Sequence, residues 1–201
     1  MPLPRPTLRI AIAAAFLGLA APAAAQQFSE GYKFLQAVRD EKGDVVVQML
    51  STPGSTIVNT KDRTTGEGAL HISVRKGSTK YVEYLLQQKA DPNIRDGGNN
   101  TPLILAISLG KTDIVPLLLA YNANVNLGNS VGETPLILAV QRRDLATVRI
   151  LVDKGANPDK TDNVGMSARA YAARDGRSPE IAKLLADLPK RDDRKVAGPR
   201  L

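Results

Sequence analysis

A period of 33 residues runs through this chain, and no other feature restricts its fold so strongly. Leu70, Leu103, Leu136 and Arg169 stand one period apart. The phrases around them superpose without a gap: Gly66-Glu67-Gly68-Ala69-Leu70-His71-Ile72-Ser73, Asn99-Asn100-Thr101-Pro102-Leu103-Ile104-Leu105-Ala106, Gly132-Glu133-Thr134-Pro135-Leu136-Ile137-Leu138-Ala139 and Gly165-Met166-Ser167-Ala168-Arg169-Ala170-Tyr171-Ala172. The register persists at Gly77, Gly110 and Gly176, at Val82, Val115, Val148 and Ile181, at Leu85, Leu118, Leu151 and Leu184, and at Ala90, Ala123 and Ala156. Self-similarity at this spacing means small units stacked in a line, each covering its neighbour's apolar face.

Inside a unit the apolar residues recur at helical spacing, as in Leu103, Ala106 and Ile107 and then Val115, Leu118 and Leu119. Two short helices per unit follow. Thr101 can cap the first, with Pro102 tolerated in its opening turn. Gly110 ends it where a left-handed backbone costs little, and Thr112 is expected to cap the second. Pro116 should then kink that second helix at most. Asn124-Val125-Asn126 and the stretch to Gly132 supply turn formers and a short β-prone segment. Asp96-Gly97-Gly98-Asn99, Asn129-Ser130-Val131-Gly132 and Asp162-Asn163-Val164-Gly165 occupy equivalent turns.

The period, the Thr-Pro-Leu start, the mid-unit glycine and the closing Asn122-Ala123-Asn124-Val125-Asn126 or Gly155-Ala156-Asn157-Pro158-Asp159 loops together resemble the ankyrin repeat. The resemblance implies an all-α solenoid of stacked helix pairs with short β-hairpin fingers. It covers four repeats, at about 61–95, 96–128, 129–161 and 162–188. Residues 26–60 read as an N-terminal cap or degenerate repeat: Phe34 to Val38 and Val45 to Leu50 form another helix pair, but the spacing drifts by two or three residues and Ser51 to Thr56 lengthen the junction. Arg169, in a column of leucines, marks a last repeat with less to bury.

Residues 1–25 stand apart. Arg5 and Arg9 precede the apolar run Ile10 to Leu19, and Ala23-Ala24-Ala25 forms a small-residue cleavage site, which is the pattern of a secretory signal peptide. An uncleaved anchor is the alternative. The expected destination is the periplasm of a bacterium, with secretion as the second choice, and no stable membrane insertion after cleavage. The chain contains no cysteine, so stacking and not disulfides must hold it together. The formal charge is +7, but Arg5 and Arg9 leave with the signal and the tail from Lys190 to Leu201 carries five bases against two acids. The array itself is then almost neutral. The tail, 189–201, reads as a disordered basic end or, alternatively, a tether to anionic surfaces.

Few residues invite a chemical role. Gly110-Lys111-Thr112 mimics the end of a phosphate loop but lacks the earlier glycine and the preceding strand. His71 is the only histidine. It falls where the resemblance implies a histidine in local structural hydrogen bonds. No cysteine or second histidine supports a zinc site, and no column supplies a catalytic triad around it. No catalytic residue, metal or cofactor is therefore expected, although a ligand binder or enzyme built on His71 and nearby carboxylates remains the rival reading.

The columns that vary are more informative. Arg75, Lys76, Ser108, Leu109, Gln141, Arg142 and Arg174 lie at the ends of the first helices, and Gly98, Asn100, Val131, Glu133, Val164 and Met166 lie on the fingers. In the ankyrin fold these positions face the concave groove that family members commonly use for binding. Arg75, Lys76, Arg142 and Arg174, with Arg143 nearby, would form a basic band broken at Leu109. That band suits another protein with an acidic surface, bound by a monomer. Nucleic acid is not expected, since aromatic residues for stacking bases are few. A solvated basic face with no partner is the plain alternative.

Overall fold

The computed structural model describes residues 29–52 and 56–190. The expected export signal at 1–25, and all but the first two residues of the expected tail at 189–201, lie outside them. Ten helices run through the described residues: α1 (Glu30–Arg39), α2 (Gly43–Leu50), α3 (Ala69–Lys76), α4 (Thr79–Gln87), α5 (Pro102–Ser108), α6 (Ile114–Ala120), α7 (Pro135–Gln141), α8 (Leu145–Asp153), α9 (Ala168–Asp175) and α10 (Pro179–Ala186). A single 3-10 turn, Ile57–Asn59, follows α2.

Local chemistry sets the helix boundaries. The hydroxyls of Thr101, Thr134 and Ser167 accept the N–H groups of Ile104, Ile137 and Ala170, and Pro102 and Pro135 open α5 and α7 where no hydrogen bond is lost. The chain leaves α3, α5 and α9 through left-handed glycines, with φ of 72° at Gly77, 67° at Gly110 and 62° at Gly176. Arg143 takes the same conformation in the third unit, at φ 56°. The start of α6 differs from the sequence expectation. Thr112 does not cap it; the helix begins at Ile114 behind Asp113, so Pro116 falls in the first turn. Its missing N–H would have been free there in any case, so the proline costs the helix no hydrogen bond.

The first helices form one continuous row, α1, α3, α5, α7 and α9, each packed on the next. Ala37, Ser73, Ala106, Ala139 and Ala172 are all buried along that row, and such small side chains let the backbones approach closely. The second helices touch one another less, in keeping with the concave first-helix face that the ankyrin resemblance implies. Leu70, Leu103 and Leu136 lie fully buried between units, as do Val82, Val115, Val148 and Ile181. Phe34 fills the same position in the first pair, 36 residues before Leu70, which places three extra residues in the junction after α2. A cavity of about 190 Å³ lies between α2 and α4, lined by Val46, Val47, Tyr81 and Tyr84.

The fingers are short and carry little strand, each closed by a backbone bond across its turn: Asp62 N–H to Glu67 O at 2.8 Å, Asp96 N–H to Asn100 O at 3.0 Å, Asn129 N–H to Glu133 O at 3.1 Å and Asp162 N–H to Met166 O at 3.0 Å. Among the described residues only isolated bridges occur, Lys61 with Gly68 and Thr161 with Ser167. Side chains occupy the donors a ladder would use: Asp62 accepts the N–H of Thr64 and Thr65, Asp96 those of Gly98 and Asn100, Asn129 those of Val131 and Glu133, and Asp162 those of Val164 and Met166. Neighbouring fingers are tied by backbone bonds, Gly97 N–H to Thr65 O at 2.9 Å, Ser130 N–H to Gly98 O at 2.9 Å and Asn163 N–H to Val131 O at 3.0 Å.

A second ladder runs through the closing loops. Asn59, Asn93 and Asn126 each accept, through Oδ1 at 2.7 Å, a backbone N–H of the next unit, from Asp91, Asn124 and Asn157 respectively. At the corresponding place in the following loop stands Asp159. Its carboxylate is held bidentately by Arg169, Nε to Oδ1 at 2.8 Å and Nη2 to Oδ2 at 3.1 Å. Arg169 Nη1 also donates to the carbonyls of Leu185 and Ala186 at the end of α10. The break in the leucine column is thus a polar clasp that joins the last loop to the last helix.

Candidate functional site

His71 is the natural first candidate for chemistry, and its surroundings assign it to the scaffold. The side chain is fully buried on α3. Its Nδ1 accepts the N–H of Gly68 at 3.2 Å, so the ring proton sits on Nε2 and is donated to Asn100 O of the next finger at 2.9 Å. Neither nitrogen is left for a metal or a substrate. Burial pushes the imidazole below its ordinary 6.5, against smaller opposing contributions from Asn100, Asp96 and Glu67. The ring pins α3 to its own entry turn and to the neighbouring repeat.

None of the thirteen groove residues singled out from sequence is buried. The C-terminal ends of α3, α5, α7 and α9 bring Arg75, Lys76, Ser108, Leu109, Gln141, Arg142 and Arg174 to one edge of the first-helix row, beside the fingers. The basic band is shorter than the sequence implies. Arg75 Nε donates to Glu67 at 2.7 Å, Lys76 Nζ lies 3.7 Å from Glu41, and Arg143 pairs bidentately with Asp175 at 2.8 and 2.9 Å. These acids come from a finger, from the turn after α1 and from the next unit, placements that spacing along one repeat does not reveal. Arg142 meets a backbone oxygen instead, donating to Ser108 O at 2.9 Å, where a cation favours the free carbonyls ending α5. Arg174 makes no ion pair among the described residues. Lys111 reaches back over Gly77, where an added Cβ would lie 3.1 Å from its Nζ.

On the fingers, Asn100 Nδ2 is committed to Asp96 at 3.0 and 3.1 Å, and Glu133 receives Gln141 at 3.2 Å and Asn129 at 3.1 Å. Gly98 and Met166 contribute backbone to their turns. Asp162 is held below the usual carboxylate range: burial opposes ionisation, but the Tyr171 hydroxyl at 2.7 Å and the turn N–H groups outweigh it. Leu109, Val131 and Val164 stand out as large apolar side chains left in water, Val164 at 78% exposure. Between α7 and α9 lies a cavity of about 290 Å³ lined by Val140, Gln141, Tyr171, Arg174 and Asp175. Of this set, Gln141, Arg174 and Asp175 stand in the groove columns that the sequence marks just before the mid-unit glycine, and Val140 and Tyr171 do not. The missed signal is Tyr171, the one aromatic in a column otherwise held by Ile72, Leu105 and Leu138.

The sequence model of the family described as Ankyrin repeats (3 copies) matches residues 34–129 and 122–195. The chain belongs to the ankyrin-repeat family. A stretch of 69 residues, 34% of the chain, is 36% identical to neurogenic locus notch homolog protein 1 of Homo sapiens, and the same figures hold for that of Mus musculus. A stretch of 61 residues, 30% of the chain, is 41% identical to a putative ankyrin repeat protein of Acanthamoeba polyphaga mimivirus. The matches span 3% and 8% of those relatives' lengths, so they speak to the repeat and not to whole proteins. Ankyrin repeats are generally protein-interaction modules and typically not catalytic. No helix among the described residues is long and apolar enough to cross a membrane.

Proposed function

We propose that this chain is a non-catalytic binding module, exported to the periplasm, whose concave face takes a partner protein with an acidic surface. The observation that carries this reading is the contrast between columns. Positions that repeat are buried or tied into turns, whereas those that vary, at the ends of α3, α5, α7 and α9, are exposed and chemically diverse. An inhibitor, immunity factor or accessory subunit of an exported enzyme would use such a surface. Export rests on the pattern at 1–25 alone, and the acidic partner rests on Arg142 and Arg174, which no carboxylate neutralises among the described residues.

The test is crosslinking followed by affinity capture from the exported fraction of the source cells. Wild type is compared with a variant carrying Glu at Arg75, Lys76, Arg142 and Arg174. The reading expects a protein captured by wild type and lost by the variant. Equal capture of the same proteins by both would refute it.

A further inference from the structure

We infer that the cavity between α7 and α9 is an anchoring subsite for a through-going segment of a partner chain, in which an apolar side chain enters the cavity and a nearby acidic side chain pairs with Arg174. The inference rests on the concave-face reading and narrows it to the second half of the array and to one kind of sequence.

The cavity, at about 290 Å³, is roomy enough for one large side chain, and its walls include the Val140 side chain and the Tyr171 ring. Tyr171 is fixed by its hydroxyl bond to Asp162, and Asp175 by its bidentate pair with Arg143, so the walls are pre-organised. Those commitments also decide the charge that an occupant meets. Asp175 is neutralised by Arg143, Glu133 is turned to Gln141 and Asn129, and Arg174 at the rim has no acid of its own among the described residues. The first repeat is arranged in the opposite way, since Arg75 and Lys76 already face Glu67 and Glu41. Three of the large apolar side chains left in water lie near the cavity, Leu109 at the end of α5 and Val131 and Val164 on the fingers of the two units that form it; the others, Tyr32, Val45 and Val47, belong to α1 and α2 at the far end of the array. Apolar side chains beside the cavity, on α5 and on two fingers, suit a chain that continues past it. Arg142, over the end of α5, offers that chain a second cation.

The test uses short synthetic peptides and the folded chain, with binding followed by fluorescence anisotropy. One peptide places aromatic and aliphatic residues next to aspartates; a second keeps the aspartates but replaces the apolar residues with serine; a third keeps the apolar residues and replaces aspartate with lysine; a fourth repeats the first motif at a free C-terminus only. The first is expected to bind best, to weaken as salt is raised, and to lose about tenfold or more in affinity with Arg174→Ala or with Gln141→Trp, which fills the cavity. Arg149→Ala, at an exposed position of α8 outside the groove, should change it by less than about threefold. Thermal melts of each variant separate a lost site from a lost fold, and for any variant that melts early the first and third peptides are compared on wild type alone. The inference is overturned if the first peptide fails to bind at millimolar concentration, if it binds no better than the second, third or fourth, or if a folded Arg174→Ala binds it unchanged. Should capture of a natural partner still depend on the four groove cations in any of those cases, the concave-face reading survives and only the anchoring subsite falls.

Discussion

At the scale of single residues, the array is held by side chains that reach from one repeat to the next. His71 is the clearest case. Its folded-state affinity for protons is lowered by burial, so the unfolded chain binds more protons below pH 6.5. Stability should therefore be complete above that value and decline as the solution is acidified through it. Urea melts at a series of pH values should show this slope, and His71→Gln should flatten it while lowering the plateau. Asp62 acts in a lower window. The N–H of Thr65, then Arg39 at 2.9 Å, then the N–H of Thr64 hold it at about 2 against an ordinary 3.8. Its contribution is present above 3.8 and lost as the pH falls towards 2, and Asp62→Asn should remove that part of the acid transition. The role of His71 was legible only through the ankyrin resemblance, which implies a histidine in structural hydrogen bonds there, since the other repeats hold Ile104, Ile137 and Ala170 in that column. The asparagine ladder was not: Asn93 and Asn126 look like turn formers for their own loops, and nothing local says that each also serves the next loop.

Among the elements, helices were the legible part and fingers the less legible. The 3.6-residue spacing and the Thr-Pro starts place α5 and α7 correctly, since capping and burial act within a few residues. The start of α6 falls at Ile114, one residue later than a Thr112 cap implies, with no side-chain cap bond from Asp113, and this start puts Pro116 in the first turn, where a proline loses no hydrogen bond. The fingers carry β-prone residues, yet Asp62, Asp96, Asn129 and Asp162 take the donors that strands would need. Packing between elements sets the energetic scale. Leu103→Ala or Leu136→Ala should cost about 2 to 5 kcal/mol in equilibrium unfolding, because each leaves a cavity at an interface of repeats. Thr134→Ala removes one helix cap and should cost about 0.5 to 2 kcal/mol in the same assay.

For the whole molecule, the question is how a linear stack ends. Arg169 replaces the column leucine and grips Asp159, which replaces the ladder asparagine, while also meeting the last carbonyls of α10. The two changes belong together, and only the first was visible as a break in the period. Arg169→Ala should lower protection from hydrogen exchange in α9 and α10 before other helices, because repeat arrays lose structure from their ends. The exposed columns of the inner face were legible as positions, but their electrostatics were not. Glu41, Glu67 and Asp175 reach Lys76, Arg75 and Arg143 from neighbouring segments, and only the folded stack brings them together. The central claim is that burial holds the repeating columns and recognition uses the varying ones. It is tested most directly by hydrogen–deuterium exchange of the chain with and without its captured partner. The account predicts new protection at the C-terminal ends of α5, α7 and α9 and in the fingers at 96–100, 129–133 and 162–166. Protection confined to α4, α6, α8 and α10 would contradict it.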